Sequence, residues 1–473
     1  MKNTHNTNYV AAITMVATLG GLLFGYDTAV ISGTVSSLRE FFIVPRGLEE
    51  LAANSLEGFT VSSALIGCII GGLLGGVLAL NLGRRLSLMV AAILFTISAI
   101  GSAIPEIGFV PVGEGNYMHL TQFVIYRIIG GIGVGLASML SPMYISEIAP
   151  AEKRGNLVSW NQFAIIFGML IVYFVNYAIA RQGDDNWLHE IGWRWMFASE
   201  TIPAILFFIL LFFVPESPRW LVIKNQEEKA MTTLLRLNTK DKAENILSDI
   251  KDSLKHHVSG KMFSYGVVVI VIGLLLSVFQ QFVGINVVLY YAPVIFQNMG
   301  AETDGALLNT IIVGAINLTF TVIAIFSVDK FGRKPLQIIG ALGMAVSMFG
   351  LGLTFFFEQL GLGSLLFMLG YVAFFAMSWG PVVWVLLAEI FPNRIRGRAM
   401  ALAVAAQWIS NYLVSWTFPM MDKSSVLTQY FHHGFAYWIY GVMGIFAAWF
   451  MWKLVPETKG KTLEQMESLW GKK

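Results

Sequence analysis

The chain has 473 residues, 56% of them hydrophobic and only 13% charged, with a formal net charge of +2. Its apolar residues come in blocks longer than a soluble core helix requires, which makes it a polytopic membrane protein. Basic residues spread over short loops exclude nucleic acid as a ligand, and a single cysteine, Cys68, excludes an intrachain disulfide.

Met1 to Asn8 is a short polar tail. Behind it, Val10 to Leu38 is too long for the apolar core of a cleaved signal, so this first helix is expected to stay in the mature protein. Five more spans precede the one long polar insert: Leu56 to Leu80, Leu86 to Ile104, Met118 to Ser146, Gly155 to Ala180 and Arg194 to Val214. The insert, Pro215 to Lys261, is rich in Lys and Glu and has weak helical periodicity, which predicts short helices at the membrane surface. Six spans follow: Met262 to Gln297, Leu307 to Val328, Pro335 to Phe357, Gly361 to Leu387, Ala399 to Met420 and Phe435 to Leu454. The expected fold is therefore all-α with twelve transmembrane helices. It divides into halves at 1–214 and 262–454, an insert at 215–261 and a tail at 455–473.

Arg84, Arg85, Lys153, Arg154, Lys330, Arg333, Lys334, Arg394, Arg396, Arg398 and the basic insert fall on one side, which the positive-inside rule makes cytoplasmic, along with both termini. Gly67, Gly71 and Gly75, with Gly72 and Gly76 offset, have the four-residue spacing that lets helices approach closely. Cys68 among them reads as packing. Gly131, Gly133 and Gly135 do not form a dinucleotide fingerprint, because they lie inside an apolar span with no preceding strand.

An internal repeat organises the chain. Glu147-Ile148-Ala149-Pro150 with Arg154-Gly155 recurs as Glu389-Ile390-Phe391-Pro392 with Arg396-Gly397; Gly83-Arg84-Arg85 recurs as Gly332-Arg333-Lys334, and Pro215-Glu216-Ser217 as Pro456-Glu457-Thr458. Two related six-helix halves are the layout of a transporter that rocks about a midplane site. The duplicated charges Arg84, Glu147, Arg154, Arg333, Glu389 and Arg396 are expected to form a cytoplasmic gate of ion pairs joining the halves, with a solvated loop face as the alternative.

Asp27 is a carboxylate inside an apolar helix, where an acid costs roughly 2.5 to 3.5 kcal/mol and marks proton or ion movement. By helical rise, Asp27, Arg127 and Glu200 all lie in the outer half of their spans, about 17, 14 and 9 Å from the helix ends. Two carboxylates and one guanidinium cannot all be neutralised as ions, so the group can bind one proton; a fixed structural Arg127–Asp27 pair is the alternative. Gln162, Gln280, Gln281, Asn286, Asn317 and Gln407 supply amides from four helices of both halves; one such amide alone reads as interhelical glue, but six so distributed favour a polar cavity that can both donate and accept. Gly380-Pro381 is expected to break the tenth helix ahead of Trp384. Trp438, Trp449 and Trp452 read as interface anchors or packing. His256-His257 and His432-His433 lack nearby metal-type ligands and are assigned no metal.

Gln280-Gln281-Phe282-Val283-Gly284-Ile285-Asn286, Tyr290-Tyr291-Ala292-Pro293, Asp329-Lys330-Phe331-Gly332-Arg333-Lys334 and Pro215-Glu216-Ser217-Pro218-Arg219-Trp220 together resemble the signatures of the sugar porter family of the major facilitator superfamily. The resemblance covers nearly the whole chain. It implies that Gln162, Gln280, Gln281, Asn286, Trp384 and Gln407 contact a sugar, with Phe24, Tyr290, Asn317 and Trp408 near it. It further implies proton-coupled symport of a monosaccharide, D-xylose with D-glucose as a competitor. The carrier would be a monomer without cofactor in the lipid of a bacterial cytoplasmic (inner) membrane. Two positions depart from the pattern: Leu80 replaces the acid of the first loop motif, which only the second copy retains as Asp329, and Met169 replaces a glutamine two turns from Gln162. A proton-independent uniporter and a sugar sensor signalling through the insert are the rival readings. A membrane enzyme is disfavoured, because no nucleophile and base pair or metal cluster is visible.

Overall fold

The computed structural model describes residues 7–150, 153–255, 262–392, 395–459 and 470. Arg394, His256, His257 and the side chain of Asp329 lie outside the described residues. Twelve long helical spans follow in chain order: α1 (Asn8–Gly33), α2 (Glu50–Asn81), α3 (Arg84–Ala103), α4 (Tyr117–Ile148), α5 (Arg154–Ala180), α6 (Asp185–Phe213), α7 (Val267–Tyr290), α8 (Thr303–Val328), α9 (Arg333–Phe356), α10 (Leu362–Ile390), α11 (Arg396–Asp422) and α12 (Phe435–Leu454). All but α11 are apolar enough to cross a membrane on composition alone. α11 is diluted by Gln407, Ser410, Asn411 and Ser415, of which the last three are buried. The perimeter is apolar: Ile202, Phe213, Phe326 and Val346 are 76, 75, 79 and 66% exposed, a surface that suits lipid rather than water. The insert forms helices Pro218–Ile223, Glu227–Leu237 and Lys240–Lys255, packed through Leu221, Val222 and Ala230.

Close backbone approach explains the glycines. A Cβ on Gly67 would stand 2.0 Å from the Ile128 carbonyl oxygen and one on Gly71 2.2 Å from that of Ile132, while Gly131 would meet Ala64 O at 1.8 Å. Thus α2 and α4 touch backbone to backbone, which no larger residue permits. Gly72 faces open space, so only one of the two glycine registers is the packing face.

The repeated motifs have one physical explanation. Gly83 and Gly332 adopt φ of 93° and 89° ahead of α3 and α9, a conformation that favours glycine. In each half a carboxylate then caps the helix start, where backbone N–H groups lack partners. Glu216 accepts from the amides of Arg84 (2.9 Å) and Arg85 (3.1 Å), and Glu457 from those of Arg333 (3.2 Å) and Lys334 (3.0 Å). Burial pushes the Glu216 carboxyl up despite those amides. Burial opposes them at Glu457 too, but there four backbone N–H groups prevail and hold it below the usual range.

The gate charges pair within each half in this structure. Arg84 binds Glu147 through two bonds of 2.8 and 2.9 Å, and Arg333 binds Glu389 at 3.0 Å, so both ion pairs close within one half. Ser217 and Thr458 donate to the same two glutamates. Arg154 is exposed, and Arg396 donates to the Phe391 carbonyl. The reason is proximity: the turn before α3 and the end of α4 belong to one half, as do the turn before α9 and the end of α10.

The halves instead meet on the opposite face. Lys423, which follows α11, donates to Glu57 of α2 at 2.6 Å, and Arg39 also donates to Glu57. Asn54 donates to Lys423 O (3.2 Å), Trp416 to Ser55 O (3.1 Å), Ser36 to Gln297 (3.2 Å), and the Ser425 amide to Glu50 (2.6 Å). A Cβ on Gly58 would stand 2.0 Å from Trp416 O, so α2 and α11 are in backbone contact there.

Candidate functional site

Two groups of buried polar side chains lie inside the helices. The first joins α1, α4 and α6. Arg127 donates through Nη1 to Asp27 Oδ1 at 2.8 Å and through Nη2 to the Asp27 carbonyl at 3.2 Å, with its guanidinium carbon 5.3 Å from the Phe197 ring centroid. Glu200 faces the same pair, and all three residues are at most 1% exposed. Glu200 sits at a break in α6 between Trp193–Ser199 and Thr201–Leu210. Pro203 accounts for it, because its ring displaces the carbonyl of Ser199 four residues earlier. Beside the acids, Tyr26 OH and Ser199 Oγ lie 2.8 Å apart and tie α1 to α6. Asp27 Oδ2 and both Glu200 oxygens take a hydrogen from no other side chain or amide among the described residues, and the two carboxyls lie within hydrogen-bond reach of one another, so a proton on either can bridge them. One cation among two buried carboxyls leaves room for one proton.

The second group is built on broken helices. Gly284, at φ 93°, separates Val267–Phe282 from Ile285–Tyr290 in α7, so the seventh span is not the continuous helix read from its hydropathy. Across that break Asn286 donates to Gln281 at 2.5 Å. α10 breaks at Ser378, two residues ahead of the expected Gly380-Pro381, because proline disrupts the turn that precedes it. Gln280 donates to the carbonyls of Trp379 (2.8 Å) and Gly380 (3.2 Å) just after the break and accepts from Gln407 at 2.6 Å. α7, α10 and α11 are thereby joined through one amide.

Tyr290 accepts from Asn411 at 3.3 Å, and Trp408 meets Phe24 of α1 at a centroid distance of 5.7 Å, an aromatic contact between the halves. The structure therefore pairs Gln280 with Gln407, Gln281 with Asn286, Tyr290 with Asn411, and Trp408 with Phe24. Trp384 follows on the second segment of α10, half-buried. Gln162 of α5, half-buried, and Asn317 of α8, buried, stand outside the hydrogen-bonded network, and Met169 is buried. Asn411 was missed by sequence reasoning, although it follows Gln407 by one helical turn; it also accepts from Ser415 at 3.0 Å. His432 and His433 lie near carboxylates, Glu358 at 2.8 Å and Asp422 at 3.1 Å.

Two six-helix repeats with a buried acid–guanidinium group in one and an amide and aromatic cluster where they meet define a secondary transporter of the major facilitator fold. The chain belongs to the sugar transporter family, whose model, described as sugar (and other) transporter, matches residues 13–470. It is 64% identical over 478 residues to the D-xylose-proton symporter of Escherichia coli (strain K12), covering 99% of this chain and 97% of that protein. The partially occluded inward-open structure of the E. coli xylose transporter XylE superposes with a TM-score of 0.88 at 63% identity, covering 96% of this chain and all of that one. The proton:xylose symporter XylE bound to 6-bromo-6-deoxy-D-glucose superposes at 0.84 with 64% identity, covering 98% and 100%.

Proposed function

We propose that this chain couples inward proton flow to the uptake of a monosaccharide, D-xylose, with D-glucose as a competitor. The observation that carries the reading is the placement of both groups on α1: Phe24, which meets Trp408, lies one helical turn from Asp27, which is held by Arg127. Sugar bound among Gln162, Gln280, Gln281, Asn286, Trp384 and Gln407, with Asn317 nearby, would press on the helix that carries the proton acceptor. Protonation of Asp27 releases Arg127 towards Glu200 and lowers the cost of moving α4 against α1. A proton crossing about 100 mV releases about 2.3 kcal/mol, enough for roughly fifty-fold accumulation at one proton per sugar.

The face carrying Arg84, Arg333 and both termini is assigned to the cytoplasm of a bacterial inner membrane by its basic loops. The bonds joining Glu57 and Asn54 to Lys423 then close the outer side in this structure. The halves 1–214 and 262–454 rock about the midplane, with the insert 215–261 and the tail 455–473 on the inner side. Arg84, Glu147, Arg154, Arg333, Glu389 and Arg396 gate that side by exchanging partners between halves when the carrier faces outward. The carrier works as a monomer.

Uptake of labelled xylose into proteoliposomes with and without an imposed proton gradient tests the coupling. Gradient-dependent accumulation that a protonophore abolishes is expected. Equal uptake without a gradient would make the protein a uniporter, and absence of net uptake would make it a sensor.

A further inference from the structure

Ser98 on α3 is fully buried, and its hydroxyl has no hydrogen-bond partner among the described residues. Helical serines and threonines commonly turn back on a carbonyl three or four residues earlier. In this helix Ser87 does so to Gly83 and Thr96 to Ala92. Ser98 faces α4 instead. A Cβ on Gly130 would stand 2.3 Å from Ser98 Oγ and 3.2 Å from Asp27 Oδ1. The hydroxyl thus fills the room that the glycine leaves, and the Asp27 carboxyl borders the same space without being hydrogen-bonded to it in this structure.

We propose that Ser98 is the second partner of Asp27: when Arg127 moves away, the Ser98 hydroxyl accepts the O–H of the protonated acid, and Gly130 admits it. The proposal rests on the proton-symport reading and names the residue that holds the proton-loaded form. A guanidinium only donates, so Arg127 serves the ionised carboxyl; a hydroxyl both donates and accepts, so Ser98 can still serve the acid once it is protonated and Arg127 has moved. The titratable groups around Asp27 are Tyr26 of α1, Arg127 of α4 and Glu200 of α6, with Cys68 of α2 and Tyr290 of α7 at longer range. Ser98 is therefore a positioning residue that does not itself titrate.

The competing explanation is that α3 needs only a small side chain here to pack on α4, as where a Cβ on Gly133 would stand 3.2 Å from Ala91 O. Alanine keeps the packing and removes the oxygen, so Ser98→Ala separates the two.

The experiment measures the initial rate of D-xylose uptake into proteoliposomes against external pH for the full-length wild type, Ser98→Ala and Ser98→Thr. Loss of an acceptor for the protonated acid should move the half-maximal pH of Ser98→Ala towards acid by about half a unit, and Ser98→Thr should restore it. A Ser98→Ala profile that overlays the wild type would leave serine as packing only. A displacement towards alkali would mean that the hydroxyl serves the ionised form; either result overturns the proposal. If thermal melting shows that Ser98→Ala is damaged, Ser98→Cys, a poor acceptor of similar size, is read in its place with the same expected direction. Asp27→Asn in the same vesicles separates the two levels. Retained gradient-driven accumulation would reject the symport reading itself, whereas its loss beside an unshifted Ser98→Ala profile would reject only the role given to Ser98.

Discussion

Lys423→Met removes the only side-chain cation that reaches Glu57 from the other half among the described contacts. Glu57 is 2% exposed, while its two partners Arg39 and Lys423 are 26 and 21% exposed. An exposed pair contributes about 0–1 kcal/mol, and stripping the partner from a buried charge costs about 3–5 kcal/mol. Arg39 stays on Glu57 after the substitution, and Asn54 still finds the Lys423 backbone carbonyl, which a side-chain change leaves in place. The expected loss therefore lies between the two limits, about 1–2 kcal/mol, or a five- to thirtyfold shift in population away from the state closed on this face. Spin labels on cysteines replacing Leu51 and Val426, 68 and 61% exposed, would read it by pulsed dipolar spectroscopy. The single native thiol, Cys68, is buried and escapes labelling. The long-distance population should grow in Lys423→Met and stay near wild type in Lys423→Arg. An unchanged distribution in Lys423→Met would show that backbone contact at Gly58 and Trp416 closes this face without help from the charges.

Asp27→Asn imitates the protonated acid but cannot return the proton, so it should lose gradient-driven accumulation while keeping sugar binding and exchange of labelled for unlabelled sugar; loss of binding as well would tie Asp27 to the sugar site or the fold. Gln281→Ala leaves Asn286 without its partner and should weaken D-xylose binding by about 1–3 kcal/mol in calorimetry, an unchanged affinity removing Gln281 from the site. The Asp422 carboxylate raises His433 above the ordinary histidine range against its partial burial. A raised value stabilises the fold below the unfolded pKa of about 6.5 and is lost as pH climbs through the folded one. His433→Gln should accordingly lower the melting temperature at about pH 6 and match the wild type at about pH 9, and an equal deficit at both would assign the loss to packing rather than charge.

What the sequence determined by itself was set by local rules. Apolar length marked the twelve spans, a four-residue spacing marked the glycine face of α2, and the repeated Gly-Arg and Pro-Glu motifs marked two related halves. These follow from hydropathy, helical period and backbone conformation, each written in a few neighbouring residues. Intramembrane charge likewise singled out Asp27, Arg127 and Glu200, because an acid in lipid is too costly to be incidental. The tertiary structure decided which partner each group takes. Arg84 and Arg333 pair inside their own halves, and closure falls to Glu57, Asn54 and Lys423, which carry no motif. Asn411 takes Tyr290 and Ser415 as partners, and the Ser98 hydroxyl turns to Gly130 of α4 rather than to its own helix. Those choices depend on which helices touch and at what depth, a matter of distances between segments hundreds of residues apart that no local pattern records.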